Sequence, residues 1–205
     1  RLHDVELPPA RGWELLRAAH RCLVRCHEGQ ALDLGVSVAE LKASELRAAA
    51  HTTSTLKTGA LLGFAARLGA ELAGASAPEV AALERFGEQI GVALQMLDDL
   101  GSFAAEERRA KALEDLAGGR VNWIWVWAKE SLDELSFRQL TRTLGKPDEH
   151  VELCGRLAQA SETRGRAAVR DALDQALSEL KADFGASAQL EQLALELKRL
   201  EKSYG

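Results

Sequence analysis

Residues 95–102 read Gln-Met-Leu-Asp-Asp-Leu-Gly-Ser. On a helix, Gln95, Asp98, Asp99 and Ser102 fall at i, i+3, i+4 and i+7, so they share one face over about 10 Å. The opposite face carries Leu94, Met96, Leu97 and Leu100. Two adjacent carboxylates on an otherwise apolar helix are costly to bury without counter-charge. A hard divalent cation is one natural partner: magnesium prefers carboxylate oxygens and shares its other positions with phosphate and water. A solvated helix end is the other reading, because an Asp-Asp pair is ordinary there.

Three more clusters bear on the choice. Lys57-Thr58-Gly59 stands among small and apolar residues. A lysine there can point into a cavity as a point charge for phosphate, or simply face solvent. Lys111, Asp115 and Arg120 place two cations and a carboxylate around the Gly118-Gly119 break. In Gly29-Gln30-Ala31-Leu32-Asp33-Leu34, Gln30 and Asp33 share a face or cap a helix end. Cys22 and Cys26 lie at i,i+4 beside His27, but no second Cys/His pair stands nearby to complete a tetrahedral zinc site. Buried thiols are the reading adopted. An odd count of three cysteines, with Cys154 the third, argues against a disulfide scaffold.

These residues need helices to position them, and the chain supplies little else. Ala, Leu, Glu and Arg dominate, and aromatics are 5%. Pro8 and Pro9 precede a period-3.6 pattern of Trp13, Leu16, Ala19, Leu23 and Cys26, which Gly29 and then Gly35 interrupt. A long helix is predicted from about Ser44 to Leu72. A capping box of Ser76 and Glu79, with Pro78 in the first turn, opens the next, which runs to about Ser102. Residues 103–110 are charged and without an apolar stripe, and are expected to form a loop over the site. Val121–Lys129, with Trp123, Trp125 and Trp127, is apolar nearly all round and should be a buried helix. Helices near 132–144, 148–183 and 187–202 complete an all-α bundle with no convincing strand.

The totals narrow the class. With 205 residues and 46% apolar composition, the chain can build one domain with a sizeable core, expected over 1–205. A net charge of −5 does not suggest a general nucleic-acid or membrane-surface binder. No apolar run reaches the roughly 18 residues of a membrane span, and no secretory signal pattern opens the chain. A soluble cytoplasmic protein is expected. The polar opening at Arg1 suggests that further helices precede it.

Together the clusters resemble the trans-isoprenyl (polyprenyl) diphosphate synthases. The matching pieces are Gly29-Gln30-x-x-Asp33-Leu34, Lys57-Thr58, Gln95-x-x-Asp98-Asp99, Lys111-x-x-x-Asp115 and Arg120-x-x-Trp123, in the family's order and near its spacings. The likeness covers about residues 10–130. It implies a helical bundle of the isoprenoid synthase type around a deep cavity, where magnesium bridges Asp-rich faces to an allylic diphosphate. The resemblance implies that Asp98 and Asp99 bind metal with Gln95 in support. Lys57 and Lys111 would hold diphosphate oxygens, Thr58 and Gln30 would line the cavity, and Asp115 and Arg120 would order the lid. It further implies condensation with isopentenyl diphosphate and a homodimer.

Two departures accompany the likeness. The family's first Asp-rich motif has no counterpart here, since Asp4 and Glu6 are no substitute. The second motif usually runs Asp-Asp-x-x-Asp, but its fifth position is Ser102. Asp98, Ser102 and Glu106 resemble instead the metal motif of class I terpene cyclases, provided that the helix continues through Glu106. A non-catalytic subunit of a heteromeric synthase is a third reading. Whichever holds, Gln95, Asp98, Asp99 and Lys57 should face one cavity, with Lys111 close by.

Overall fold

The computed structural model describes residues 9–204; Asp4, Glu6 and Pro8 lie outside them. It is built from nine helices among those residues, and none of those residues forms a strand. None of the helices is long and apolar enough to cross a membrane.

The first helix, α1 (Pro9–Gly35), runs unbroken through Gly29. The expected interruption does not occur, because Gly29 serves a close approach. A Cβ there would lie 2.7 Å from the backbone nitrogen of Lys57 and 2.8 Å from Leu56 Cβ. The buried face of α1 carries Leu15, Ala18, Cys22 and Gly29, whereas Trp13, Leu16 and Leu23 of the expected stripe are exposed. Small residues let the helix seat tightly, so bulk does not mark the inner face. Gly29→Ala should therefore push α1 outward. The cost expected is about 1–3 kcal/mol, read as a lowered Tm in thermal unfolding.

The predicted long helix spans residues 46–72 in three pieces. These are α2 (Leu46–Ser54), one π-turn (Thr55–Gly59) and α3 (Ala60–Leu72). In the π-turn the backbone N–H of Ala60 reaches five residues back to Thr55 O. Two thiols from α1 donate to carbonyls beside it: Cys26 Sγ to Lys57 O and Cys22 Sγ to Ala60 O, each at 3.4 Å. Burial pushes the Cys22 thiol up to about 11, so it stays a donor. The wide turn thus carries Lys57 and Thr58 and is clasped by Cys22, Cys26 and Gly29. Such turns recur at functional sites.

Helix α4 (Ala77–Ala104) starts at the predicted capping box, with the Glu79 carboxylate accepting the Ser76 N–H at 2.7 Å. It crosses the π-turn and α3 at backbone contact, since a Cβ on Gly91 would meet Gly59 Cα at 2.6 Å and one on Gly87 would meet Leu62 O at 2.5 Å. Extended Ala105 ends it, and a 3₁₀ turn (Glu106–Arg108) leads into α5 (Arg109–Ala117). The expected loop over 103–110 is narrower than predicted: 103–104 still belong to α4, 105–108 form the break, and from Arg109 the chain is helical, anchored by buried Ala112 and Leu116 beneath its charges.

Helix α6 (Trp123–Ser131) buries every residue from Trp123 to Ala128, with Trp123 and Trp127 stacked at 5.8 Å. Helices α7 (Glu134–Leu144), α8 (His150–Phe184) and α9 (Ala188–Tyr204) follow, and α8 packs along both α4 and α6. One cross-link matters for the site. Val38 N–H donates to Gly119 O at 2.9 Å, within a single bridge between Ser37 and Arg120. Gly119 has φ +62°, where a side chain would be strained. This bridge ties the end of α1 to the turn that starts α6.

Candidate active site

A small polar cavity of about 80 Å³ lies where α1, the π-turn, α4 and α5 converge on the start of α6. Asp33, Lys57, Gln95, Asp99, Lys111, Asp115, Arg120 and Asn122 line it with a few neighbours. Charged groups enter it in pairs. Asp33 on α1 accepts from Lys57 Nζ at 2.7 Å, and its backbone carbonyl accepts from Arg120 Nη1 at 2.8 Å. Asp98 pairs closely with Lys111 and lies 3.6 Å from Arg108. Burial lowers the tendency of Lys111 to hold its proton, but the hydrogen bond and charge of Asp98 outweigh this and raise its pKa. Burial also raises Asp115, against the pull of Lys111 and Arg120.

A hydrogen-bond chain crosses the cavity wall. Thr58 Oγ1 donates to Gln95 Oε1 at 2.9 Å, and Gln95 Nε2 donates to Asp99 Oδ1 at 3.0 Å. The other Asp99 oxygen accepts the backbone N–H of Trp123 at 2.9 Å, and Trp123 Nε1 donates to Ser54 Oγ at 2.9 Å. The π-turn, α4 and the first residue of α6 are thereby locked to one another. Asp99 is buried, and burial pushes its carboxyl up to about 7 despite the two donors.

The two adjacent aspartates thus have different surroundings. Asp98 is half-buried and held only by cationic side chains at the cavity edge. Asp99 has both oxygens committed to the fold. Of the two adjacent aspartates, Asp98 is the one whose carboxylate meets only cationic side chains, partners that a metal ion could replace. The Ser102 hydroxyl is buried and donates to Asp98 O at 2.7 Å. Glu106 lies beyond the helix end, its side chain 84% exposed and 3.5 Å from Arg109. The condition for an Asp98, Ser102, Glu106 set, a helix continuing through Glu106, is not met. Among the described residues no group of three or more His, Cys, Asp or Glu side chains could form a metal cage.

Lys57, Gln95, Asp99, Lys111 and Arg120 line the cavity together; Thr58 and Asp98 do not line it, and join it through Gln95 and Lys111 respectively. Gln30 is not among the lining residues; it stays exposed on α1, while Asp33 one turn on takes the inward place. Asn122 is a lining residue that none of the sequence motifs includes.

Known proteins share this framework. The polyprenyl synthetase family model matches residues 5–161. A short chain isoprenyl diphosphate synthase of Methanothermobacter thermautotrophicus is 37% identical over 136 residues, which is 63% of this chain and 39% of that protein. In fold, the chain is similar to a decaprenyl diphosphate synthase from Rhodobacter capsulatus. The TM-score is 0.74 at 19% identity, over 92% of this chain and 59% of that one. A geranylgeranyl pyrophosphate synthase from Lactobacillus brevis gives a TM-score of 0.71 at 21% identity, over 96% of this chain and 61% of that one. The chain thus spans between 39% and 61% of the length of these three relatives.

Proposed function

The chain belongs to the polyprenyl synthetase family, and from that premise we propose that it supplies the diphosphate-holding part of a prenyltransferase. The enzyme condenses an allylic prenyl diphosphate with isopentenyl diphosphate. The observation that carries this reading is the gathering of Lys57, Lys111 and Arg120 in one polar cavity, each already paired with a carboxylate or carbonyl. An anionic ligand there would exchange those internal partners for its own oxygens.

In the reaction proposed, the allylic C–O bond breaks and both electrons leave with diphosphate. The allylic cation then bonds to isopentenyl diphosphate, and a proton is lost. Lys57 and Lys111 hold the leaving group and oppose its growing negative charge. Thr58 spends its proton on Gln95, so only oxygen lone pairs of that hydroxyl face outward, which favours a neighbouring cation. Diphosphate can take the final proton, so no strong protein base is required. Magnesium, when bound, neutralises diphosphate charge. Asp98 is the residue of this chain suited to hold it, since magnesium commonly uses one or two carboxylates with substrate phosphates.

We also propose that residues 1–205 act as one domain, that a second copy packs on the exposed Trp13, Leu16 and Leu23 of α1 to give a homodimer, and that the protein works in the cytoplasm. Exposed apolar side chains on one helix face support the homodimer. Three free thiols suit a reducing compartment.

The test is product analysis. The full protein is incubated with magnesium and geranyl, farnesyl or geranylgeranyl diphosphate, with and without isopentenyl diphosphate. A longer diphosphate that forms only with isopentenyl diphosphate is the expected result. A hydrocarbon or alcohol formed without it would mean a terpene cyclase. No product under any pairing would mean a non-catalytic subunit.

A further inference from the structure

Asn122 occupies the residue just before α6, with extended backbone at φ −126° and ψ 175°. A residue there ordinarily turns its side-chain oxygen back onto the first helical N–H groups. Asn122 makes no such bond. The N–H of Trp123, the first helical residue, donates to Asp99 Oδ2 from outside the helix. The Asn122 carboxamide therefore takes no part in capping. The residue is only 8% exposed, and neither Oδ1 nor Nδ2 has a partner among the described residues.

A buried amide with neither end satisfied is rare and costs stability, so its retention calls for a reason. Its position supplies one, because Asn122 lines the polar cavity with Lys57, Lys111 and Arg120. The cavity's 80 Å³ is several times the roughly 10–15 Å³ that one water needs. The three cations already have internal partners, whereas the amide N–H does not. We propose that Asn122 is a further substrate-contacting residue, its Nδ2 donating to an oxygen of the bound diphosphate. The proposal rests on the diphosphate reading of this cavity.

The test pairs calorimetric titration of inorganic diphosphate, with magnesium, against thermal unfolding of the same proteins. In the full protein, Asn122→Ala should weaken diphosphate binding about 10–100-fold, the worth of one hydrogen bond to a charged group. Its Tm should stay level or rise, since an unsatisfied buried group has been removed. Asn122→Asp keeps the shape and can cap a helix. It should bind more weakly still than Asn122→Ala, because it sets a negative charge against the anion.

If Asn122→Asp or Asn122→Ala binds diphosphate as the unaltered protein does, the proposal is overturned. A fall of several degrees in the Tm of Asn122→Ala that Asn122→Asp restores, with affinity restored too, would assign a structural cap and also overturn it. If the unaltered protein itself fails to bind diphosphate, the reading of the whole cavity falls and this contact with it.

Discussion

Substituting Asp98→Ala in the full protein should lower magnesium-dependent turnover by about 10²–10³-fold, the scale of losing one group that stabilises developing charge. The fold should barely notice. Asp98 is half-buried, and its partners are Lys111 and Arg108 at the cavity edge. Ion pairs this exposed contribute about 0–1 kcal/mol. The expected signature is therefore a collapse of kcat with a Tm within a few degrees of the unaltered protein. Asp98→Asn should behave alike, because shape is kept and charge is lost. Turnover retained in either variant would remove Asp98 from the metal site.

The neighbouring substitution should do nearly the reverse. Asp99→Ala strips the acceptor from the Trp123 N–H and from Gln95 Nε2. The buried Trp123 N–H and the partly buried Gln95 amide then lose their acceptor, at up to about 1–3 kcal/mol each. Chemical denaturation should show a loss on the order of 2–5 kcal/mol, whether or not metal is present. Asp99 also predicts a pH dependence. Its folded pKa of about 7 lies above its ordinary 3.8. The folded state therefore binds the proton more tightly than the unfolded chain does. That contribution is complete below about pH 4 and is lost as pH rises to about 7. Its size is on the order of a few kcal/mol.

Other groups run the opposite way. The Glu130 carboxylate is pulled below its usual range by Arg164 and Arg47, which outweigh its burial. Its contribution is lost as pH falls. Comparing the unaltered protein with Asp99→Asn isolates the Asp99 effect: the difference in unfolding free energy between the two should change between about pH 4 and 8. A difference that stays constant over that range would contradict the buried-carboxyl account.

The all-helical architecture was legible because helix formers, the Pro8-Pro9 start, the Gly118-Gly119 break and the Ser76 box all point the same way. Errors arose where bulk is a poor guide to burial. On α1 the inner face is Ala18, Cys22 and Gly29, and the bulky Trp13 and Leu16 face out. From Arg109, charge hid the start of a helix whose buried residues are only Ala112 and Leu116. The π-turn has no sequence mark, since the same residues fit an α-helix.

Within the site, the order of the motif pieces carried most of the information. Periodicity could group Gln95, Asp98, Asp99 and Ser102, but not divide them. Asp98 and Asp99 are adjacent, and about 100° of helix rotation sends one to the cavity edge and the other onto the backbone of α6. Ser102 and Glu106 were separated by extended Ala105, a stop that alanine does not advertise. Asn122 before an apolar run carries an N-cap signal, and that signal cannot distinguish a cap from a side chain that makes no capping bond.

The most direct measurement is a crystal structure of the full protein with magnesium and a non-hydrolysable allylic thiodiphosphate. The account predicts diphosphate density in the cavity bounded by Lys57, Lys111 and Arg120, with a magnesium ion at Asp98 and none at Asp99. Diphosphate bound elsewhere, with the Lys57–Asp33 and Lys111–Asp98 pairs undisturbed, would contradict it.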